Sequence, residues 1–205
     1  RYRQTIETFD SIRRNVPDAF IIFSDSSVFE ITPEEMEVIK TKVNLHLDFR
    51  QDKQAQEFSK FGLKSHGELY MLYQSVLHYK QNYDTNVQGT MFKLGARCKL
   101  QDTFNVEDFD KHQGKYVFKN RLNTWRSEAE KQKGWTHLLE TRLYSWSFSL
   151  IDDYIDVLVK NLNSLSEGLD TEHAHLLHIA PEKLVEIDVV NCECTIAADG
   201  KVMLD

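Results

Sequence analysis

The stretch that decides the fold is VPDAFIIFSDSS, which spans residues 16–27 of the 205-residue chain. Its centre, Ala19 to Phe23, is a continuous apolar run, and such runs are typical of strands buried on both faces of a sheet. Pro17 ends the preceding helix, in which apolar residues recur at helical spacing from Ile6 to Val16. The polar residues 24–27 then form a turn. A helix followed by a buried strand is half of a parallel crossover unit.

The rest of the chain continues this alternation of helices and strands. A helix begins after Thr32, which forms a capping box with Glu35, and another begins at Ser65 with Glu68 as its capping partner. Further strands are predicted at 43–49, 90–94, 116–118, about 138–146 and 189–196, further helices at 150–165 and 172–178, and a hairpin turn at 198–200. We therefore predict a single α/β domain over residues 1–205, with a mainly parallel central sheet flanked by helices.

Composition and cysteine count exclude several classes of protein. The formal net charge of -7 argues against nucleic-acid binding, which requires a basic surface. No apolar run is long enough to span a membrane, and no secretory signal is present at Arg1. The odd count of cysteines, Cys98, Cys192 and Cys194, predicts free thiols and a cytoplasmic location. Cys192 and Cys194 could ligate a metal, but no second pair of ligands follows at the usual spacing.

Polar and charged residues follow the apolar strands, at the edge where parallel sheets bind ligands. Asp25 and Ser26 come after the first strand, where they can bind a ribose or base or form an ordinary turn. Lys93 and Arg97 flank Gly95 at the end of a later strand. Glycine lets a ligand approach the backbone, and arginine can hold phosphate oxygens through two hydrogen bonds. A bulged strand with exposed charges is the alternative.

The first turn of the helix from Ser65 is a candidate phosphate site. Helix N-termini attract anions, and Lys64 and His66 lie beside this one. The alternative is an ordinary capping box between Ser65 and Glu68 with a solvated histidine.

Two further clusters suggest metal binding. Asp152, Asp153 and Asp156 match D-D-x-x-D, the magnesium-diphosphate motif of prenyl synthases, but those enzymes are all-helical and carry a second acidic motif. Acidic residues in the first turn of a helix are also favoured by the helix dipole. The histidines within 172–178 do not form the H-E-x-x-H arrangement of metal sites. Their spacing therefore favours a surface helix with one or two buried imidazoles.

Several of these segments together resemble GT-A-type glycosyltransferases, in particular small glycosyltransferase-like proteins of lipopolysaccharide synthesis and of marine viruses. The resemblance covers roughly residues 1–120. It is carried by QTIETFDSI at 4–12, VPDAFIIFSDSS at 16–27, KSHGE at 64–68, FKLGARCKL at 92–100 and GKYVF at 114–118.

The resemblance implies a Rossmann-like fold. It also implies an enzyme that transfers a sugar from a nucleoside-diphosphate sugar to a saccharide or lipid-linked acceptor. Asp25 would then contact the nucleoside, while Lys93 and Arg97 would hold the diphosphate. Glu172 or Asp153 would be the base that activates the acceptor hydroxyl. Residues 1–110 would form a nucleotide-binding half, and residues 111–205, which comprise a basic and aromatic segment and C-terminal helices, an acceptor half.

The chain departs from the GT-A pattern in two ways. It begins in a helix, whereas GT-A enzymes usually begin with a strand. The D-x-D metal motif expected after the central strand is replaced by the segment Lys93 to Arg97. Cations could neutralise the diphosphate without a metal cofactor, although a divalent metal such as manganese stays possible. A non-catalytic nucleotide- or saccharide-binding module of a surface-polysaccharide pathway is the alternative function.

Overall fold

The computed structural model describes residues 2–26, 31–85, 88–132, 134–195 and 202–204, which form a mixed α/β structure. The helices are α1 (Tyr2–Asn15), α2 (Pro33–Lys42), α3 (Lys53–Lys60), α4 (Lys64–Asn82), α5 (Glu107–Asp110), α6 (Glu128–Lys131), α7 (Ile151–Ser166) and α8 (Thr171–His178), with short 3₁₀ helices at Phe148–Leu150 and Pro181–Lys183. The strands are β1 (Ile22–Asp25), β2 (Leu45–Asp48), β3 (Thr90–Leu94), β4 (Cys98–Leu100), β5 (Tyr116–Lys119), β6 (Leu122–Asn123), β7 (His137–Leu138), β8 (Leu143–Ser147), β9 (Leu184–Ile187), β10 (Cys192–Thr195) and β11 (Val202–Leu204).

The chain folds as two compact units, each assembled from separate segments. Unit 1 comprises Arg1–Asn82, Ala96–Asn105 and Asn191–Asp205, and unit 2 comprises Tyr83–Gly95 and Val106–Val190. Both units draw on segments from either side of residue 110, the border that we predicted between a nucleotide-binding and an acceptor half. How the functions divide stays a prediction. No helix within the described part of the chain is long and apolar enough to cross a membrane.

Unit 1 contains the parallel crossover that the sequence predicts. Strands β1 and β2 pair in parallel, and α2 connects them. One face of β1 packs in a core with Phe9 of α1 and Ile39 of α2, through Phe23. On the other face, the hydroxyls of Ser24 and Ser75 of α4 are 2.5 Å apart. Strand β1 is therefore covered on both faces, as its continuous apolar run indicates.

Strand β1 begins later than predicted, at Ile22 instead of Ala19. Ile21 is 6% exposed, Ile22 is half-buried and Phe20 is 46% exposed, so the apolar run is only partly interior. Side chains bind the residues before the strand. The guanidinium of Arg13 donates to the carbonyl of Ala19 at 2.6 Å, and the amide of Ile21 donates to the side chain of Asn44 at 2.9 Å. These side chains supplement backbone hydrogen bonds, because the carbonyl of Ile21 accepts from the amides of Asn44 and Leu45 at 2.9 and 3.1 Å.

Unit 1 also holds an antiparallel sheet with the strand order β11-β10-β4. Cys98 of β4 and Cys194 of β10 form a disulfide, so the prediction of free thiols is wrong for these two; Cys192 lies outside the disulfide and is buried. The two cysteines are 96 positions apart in sequence and meet only because β4 and β10 pair. The disulfide weighs against the predicted cytoplasmic location, since disulfides persist mainly in oxidising compartments. The predicted turn at 198–200 lies outside the described residues.

The main sheet of unit 2 has the order β3-β8-β5-β9. Strand β8 runs antiparallel to both of its neighbours, and only β5 and β9 pair in parallel. The described residues thus form several small sheets of mixed orientation, and the single mainly parallel sheet of our prediction is not found among them. The strands predicted at 90–94, 116–118 and about 138–146 overlap β3, β5 and β8, but burial on both faces, which a continuous apolar run indicates, does not fix the direction of a strand.

Helix predictions were the more accurate ones. The capping box of Thr32 and Glu35 is confirmed by both of its hydrogen bonds, at 3.2 and 3.0 Å. The box predicted at Ser65 is wrong, because α4 already begins at Lys64 and Ser65 lies inside the helix. The helix predicted at 150–165 is α7, in which Leu158 is fully buried, whereas Ile155 and Leu162 on the same apolar face are half-buried.

Candidate functional site

The carboxyl ends of β1 and β2 form the first candidate site, which lies in unit 1. Asp25 and Asp48 are register partners there, and Phe23 and His46 are partners two residues earlier. Because alternate residues of a strand share a face, all four side chains project from the same face of the pair. Ligands of open α/β sheets bind at this edge. We define the strand-end site as Asp25, His46, Asp48 and Arg50.

Arg50 binds Asp48 through two parallel hydrogen bonds. Its Nε donates to Oδ1 at 2.8 Å and its Nη2 to Oδ2 at 2.5 Å, and the backbone amide of Arg50 donates to Oδ1 at 3.0 Å. The hydrogen bond from Arg50 lowers the pKa of Asp48 to about 2. Asp48 is therefore ionised at any physiological pH, and its partner guanidinium is held in place at the strand end.

His46 lies between the two strand-end aspartates and the core. Its ring stacks on Phe23, with the centroids 5.4 Å apart and the planes inclined by 19°. Burial lowers the pKa of His46, although the nearby Asp48 and Asp25 carboxylates raise it, so the imidazole is neutral at pH 7. Its Nε2 is buried and has no hydrogen-bond partner among the residues that the structure describes. Such atoms are rare in folded proteins and require an explanation, such as a bound ligand or water.

A pocket of about 220 Å³ opens beside Asp48. Its walls come from the end of β2 and from α4, namely Leu47, Asp48, Phe49, Gln74, Leu77, His78 and Gln81. Sites for whole drug-sized ligands begin at about 300 Å³. The pocket therefore has room for part of a nucleotide, such as its base, and the remainder would lie along the strand ends.

Four other predicted residues of unit 1 are less enclosed. Ser26 follows Asp25 and is half-buried. Lys64 and Glu68 are exposed on the first turns of α4. Arg97 lies in the turn before β4 and is half-buried, and its carbonyl accepts from the amide of Thr195 at 3.2 Å. The predicted substrate-binding roles of these four residues stay predictions.

Three predicted residues of unit 2 meet at the segment between β7 and β8. The ammonium of Lys93 donates to the carbonyl of Thr141 at 2.6 Å, and the hydroxyl of Thr141 donates to Glu172 at 3.3 Å. The amide of Gly95 donates to the carbonyl of Arg142 at 2.9 Å. We call Lys93, Gly95, Thr141 and Glu172 the Thr141 cluster. A basic and an acidic side chain thus lie on either side of one threonine.

Further charges surround the Thr141 cluster. Glu140, whose side chain is 9% exposed, pairs with Arg142 and lies 3.7 Å from the ammonium of Lys119. The ammonium of Lys93 is 6.0 Å from the centroid of the Tyr144 ring, within reach of a cation–π interaction. The segment is therefore rich in both signs of charge.

Asp153, the second predicted base, has both of its carboxylate oxygens bound by other side chains of the fold. Its Oδ2 accepts from the hydroxyl of Tyr116 at 2.7 Å, and its Oδ1 accepts from the ammonium of Lys183 at 2.6 Å. Partial burial raises the pKa of Asp153, but the hydrogen bonds from Lys183 and Tyr116 outweigh burial and lower it. A carboxylate whose oxygens are both bound, and whose pKa is lowered, is a weak base. The contacts of Asp153 thus favour Glu172 as the base that activates the acceptor.

The histidines of α8 bind separate partners. His173 is hydrogen-bonded to Asp170 at 2.6 Å, His175 donates to the carbonyl of Thr171 at 2.8 Å, and His178 lies 2.7 Å from the hydroxyl of Ser164. The described residues contain a single group of three side chains placed to ligate a metal, and it consists of the three cysteines.

The sequence interpretation missed His46, Asp48 and Arg50. A signal was present for Arg50, because it directly follows the strand predicted at 43–49, and the strand-end rule that selected Asp25 applies to it equally; His46 and Asp48 lie inside that predicted strand. Asp25 and Arg97 belong to unit 1, while Lys93 belongs to unit 2. The convergence of these three side chains stays a prediction.

Comparison of the chain with models of known protein families and with the sequences of curated proteins found no match.

Proposed function

We propose that the chain is a glycosyltransferase and that it binds the nucleoside of a nucleoside-diphosphate sugar at the strand-end site of unit 1. The observation that carries this proposal is the parallel crossover from β1 through α2 to β2, which makes Asp25 and Asp48 register partners at the carboxyl ends. The reaction type comes from the resemblance of residues 1–120 to GT-A-type enzymes.

The chemistry of the strand-end site suits a nucleoside. Asp25 is 9% exposed, and a carboxylate in such surroundings forms strong hydrogen bonds with ribose hydroxyls or with N–H groups of a base. The Nε2 of the neutral His46 can accept or donate one more hydrogen bond, according to its tautomer. The pocket of about 220 Å³ lies on the α4 side of β1 and β2, so a nucleoside with its base there would reach Asp25 across the carboxyl ends of the strands.

The transfer step is assigned to one cation and one carboxylate. The acceptor hydroxyl loses its proton to a base, for which Glu172 is our prediction, and its oxygen bonds to the anomeric carbon of the donor as the nucleoside diphosphate leaves with the electron pair of the broken bond. Arg97, which belongs to unit 1 with Asp25, would neutralise the leaving diphosphate. Residues 93–97 contain no carboxylate and do not fit the D-x-D metal site of GT-A enzymes, so we assign no step of the reaction to a metal ion.

A ligand panel tests the proposal. The melting temperature of the chain is measured with nucleoside diphosphates and their sugars, each with manganese and with EDTA, because a ligand of the folded state stabilises it. We expect one nucleoside to stabilise the chain equally under both conditions. No stabilisation by any nucleotide would contradict nucleotide binding, and stabilisation only with manganese would contradict the cationic mechanism.

Turnover is measured separately, as release of the nucleoside diphosphate from the sugar that binds best. Release that increases when a saccharide acceptor is added supports a transferase. Binding without release would instead indicate the non-catalytic binding module.

A further inference from the structure

Three cysteine sulfurs lie together in the antiparallel sheet of unit 1. Cys98 and Cys194 are register partners and form the disulfide, and the Sγ of Cys192 is 3.5 Å from that of Cys194. The three sulfurs all lie within 4.8 Å of one another. All three residues are buried, at 5%, 0% and 2% exposure for Cys98, Cys192 and Cys194. A structural cross-link needs only two cysteines, so the third one requires a separate explanation.

A fourth sulfur lies on the same face of the sheet. Met203 of β11 is the register partner of Cys194 on the side opposite to Cys98. Residues that face each other across antiparallel strands project from the same face, as do residues two apart in one strand. Cys98, Cys194 and Met203 therefore form a row across three strands, with Cys192 beside it.

The other face of these strands carries a charged pair instead. Lys99 and Glu193 are register partners, and their side chains pair at 2.8 Å. Since they alternate with the cysteines along β4 and β10, they project away from the sulfurs. The sulfur-bearing face thus offers soft ligands without a carboxylate from these two strands.

We propose that the reduced form of the chain binds one monovalent copper ion through Cys98, Cys192 and Cys194, with Met203 as a further ligand. Thiolates bind both Cu(I) and zinc, but zinc sites complete their ligand set with thiolate, imidazole or carboxylate, whereas a thioether is a soft donor found in copper sites. A thioether next to three cysteines is therefore a donor set for copper. Burial of the three cysteines keeps water and oxidants from the ion.

The disulfide controls this site. A dithiol reductant supplies two electrons and two protons, the bond between Cys98 and Cys194 breaks into two thiols, and the reductant becomes a disulfide. Cu(I) then binds the three thiolates, and each thiol releases one proton. In the oxidised form two of the three ligands are bonded to each other, so the chain has no copper site until it is reduced.

Competition with a coloured copper chelator tests the proposal. The chain is reduced with a dithiol, desalted without oxygen and titrated with the Cu(I) complex of bicinchoninate, whose colour fades as copper is removed. We expect the reduced chain to take up one equivalent and the oxidised chain none. This comparison needs no variant, and circular dichroism of the reduced chain shows whether its fold is kept.

Variants then identify the ligands. Cys192→Ser leaves the disulfide pair intact and should weaken Cu(I) binding at least about 10- to 100-fold, and Met203→Leu should weaken it by about 10-fold. Met36→Leu, a matched change in the separate core around β1, should leave binding unchanged.

Three results would overturn the proposal. The first is a reduced wild-type chain that unfolds or fails to compete for Cu(I). The second is Cys192→Ser binding copper as tightly as the wild type. The third is uptake of Zn²⁺ in preference to Cu(I), with no effect of Met203→Leu, which would assign the cysteines to a zinc site.

Discussion

Asp25 and Asp48 are register partners at the carboxyl ends of β1 and β2, yet their surroundings differ. Asp48 is exposed and Arg50 binds both of its carboxylate oxygens, whereas Asp25 is 9% exposed. We assign Asp25 to the nucleoside because it ends the buried strand β1 and is itself shielded from water, which strengthens its hydrogen bonds.

Replacing Asp25 with Asn should weaken binding of the nucleoside diphosphate. The loss of a hydrogen bond to a charged group costs about 1.5–3 kcal/mol, which corresponds to a roughly 10- to 150-fold higher Kd. Calorimetry of the purified variants measures it. Glu37→Gln, which removes an exposed charge from α2, is the matched control and should bind as the wild type does. Equal affinities of Asp25→Asn and the wild type would remove Asp25 from the site.

Replacing Arg97 with Ala should also weaken binding of the nucleoside diphosphate, because the guanidinium is assigned to the phosphates. We expect a loss of about 1.5–3 kcal/mol, with no effect of EDTA on either protein. Arg14→Ala, which removes an exposed arginine paired with Asp102, serves as the control for overall charge. A variant that keeps its affinity for the diphosphate but binds only with manganese would argue for a metal site instead.

Glu172 and Asp153 should respond differently to neutral substitution. Glu172→Gln removes the proposed base and should lower kcat by about 10²- to 10⁴-fold with nucleotide binding unchanged. Asp153→Asn breaks the hydrogen bonds with Tyr116 and Lys183, so it should mainly lower the free energy of unfolding. Steady-state kinetics and urea unfolding of both variants distinguish the two roles, and a reversed result would make Asp153 the base.

The stability of unit 1 should depend on the protonation of His46. Burial lowers its pKa in the folded chain below the ordinary value of about 6.5, so the unfolded chain binds more protons between these two values. The contribution of His46 is thus complete above the unfolded pKa, and the free energy of unfolding falls as the pH decreases through this window.

Urea unfolding between about pH 5 and pH 8 measures this dependence. His46→Gln should flatten the curve. His178, whose pKa burial also lowers, contributes in the same direction in unit 2, so the double variant should be flatter still. A pH dependence identical to that of the wild type in His46→Gln would contradict the buried, neutral state of this ring.

Leu158→Ala in α7 should lower the free energy of unfolding by about 2–5 kcal/mol, because the side chain is fully buried and its removal leaves a cavity. Its neighbour Val159 is 40% exposed, and Val159→Ala should change stability by less than about 0.5 kcal/mol. Urea unfolding of the pair is the measurement. Similar losses for both variants would mean that the helix face is assigned wrongly.

The sequence by itself determined the elements whose causes are local. Helix α7 follows from apolar residues three and four apart, and α2 begins where Thr32 and Glu35 can cap each other. Asp25 could also be identified from the sequence, because a polar residue directly after a buried strand is a local pattern. These features depend on residues a few positions apart, which the order of the chain specifies directly.

Tertiary structure alone decided which distant segments meet. The pairing of β4 with β10 brings Cys98 to Cys192 and Cys194, and the segment around Thr141 joins Lys93 to Glu172. Strand order and direction depend on how apolar faces pack across the whole chain, and the pattern of apolar residues reports which faces of a strand are buried and not which way it runs. For this reason the sequence identified most of the strands but not the sheets, and it indicated single charged residues but not the clusters that they form.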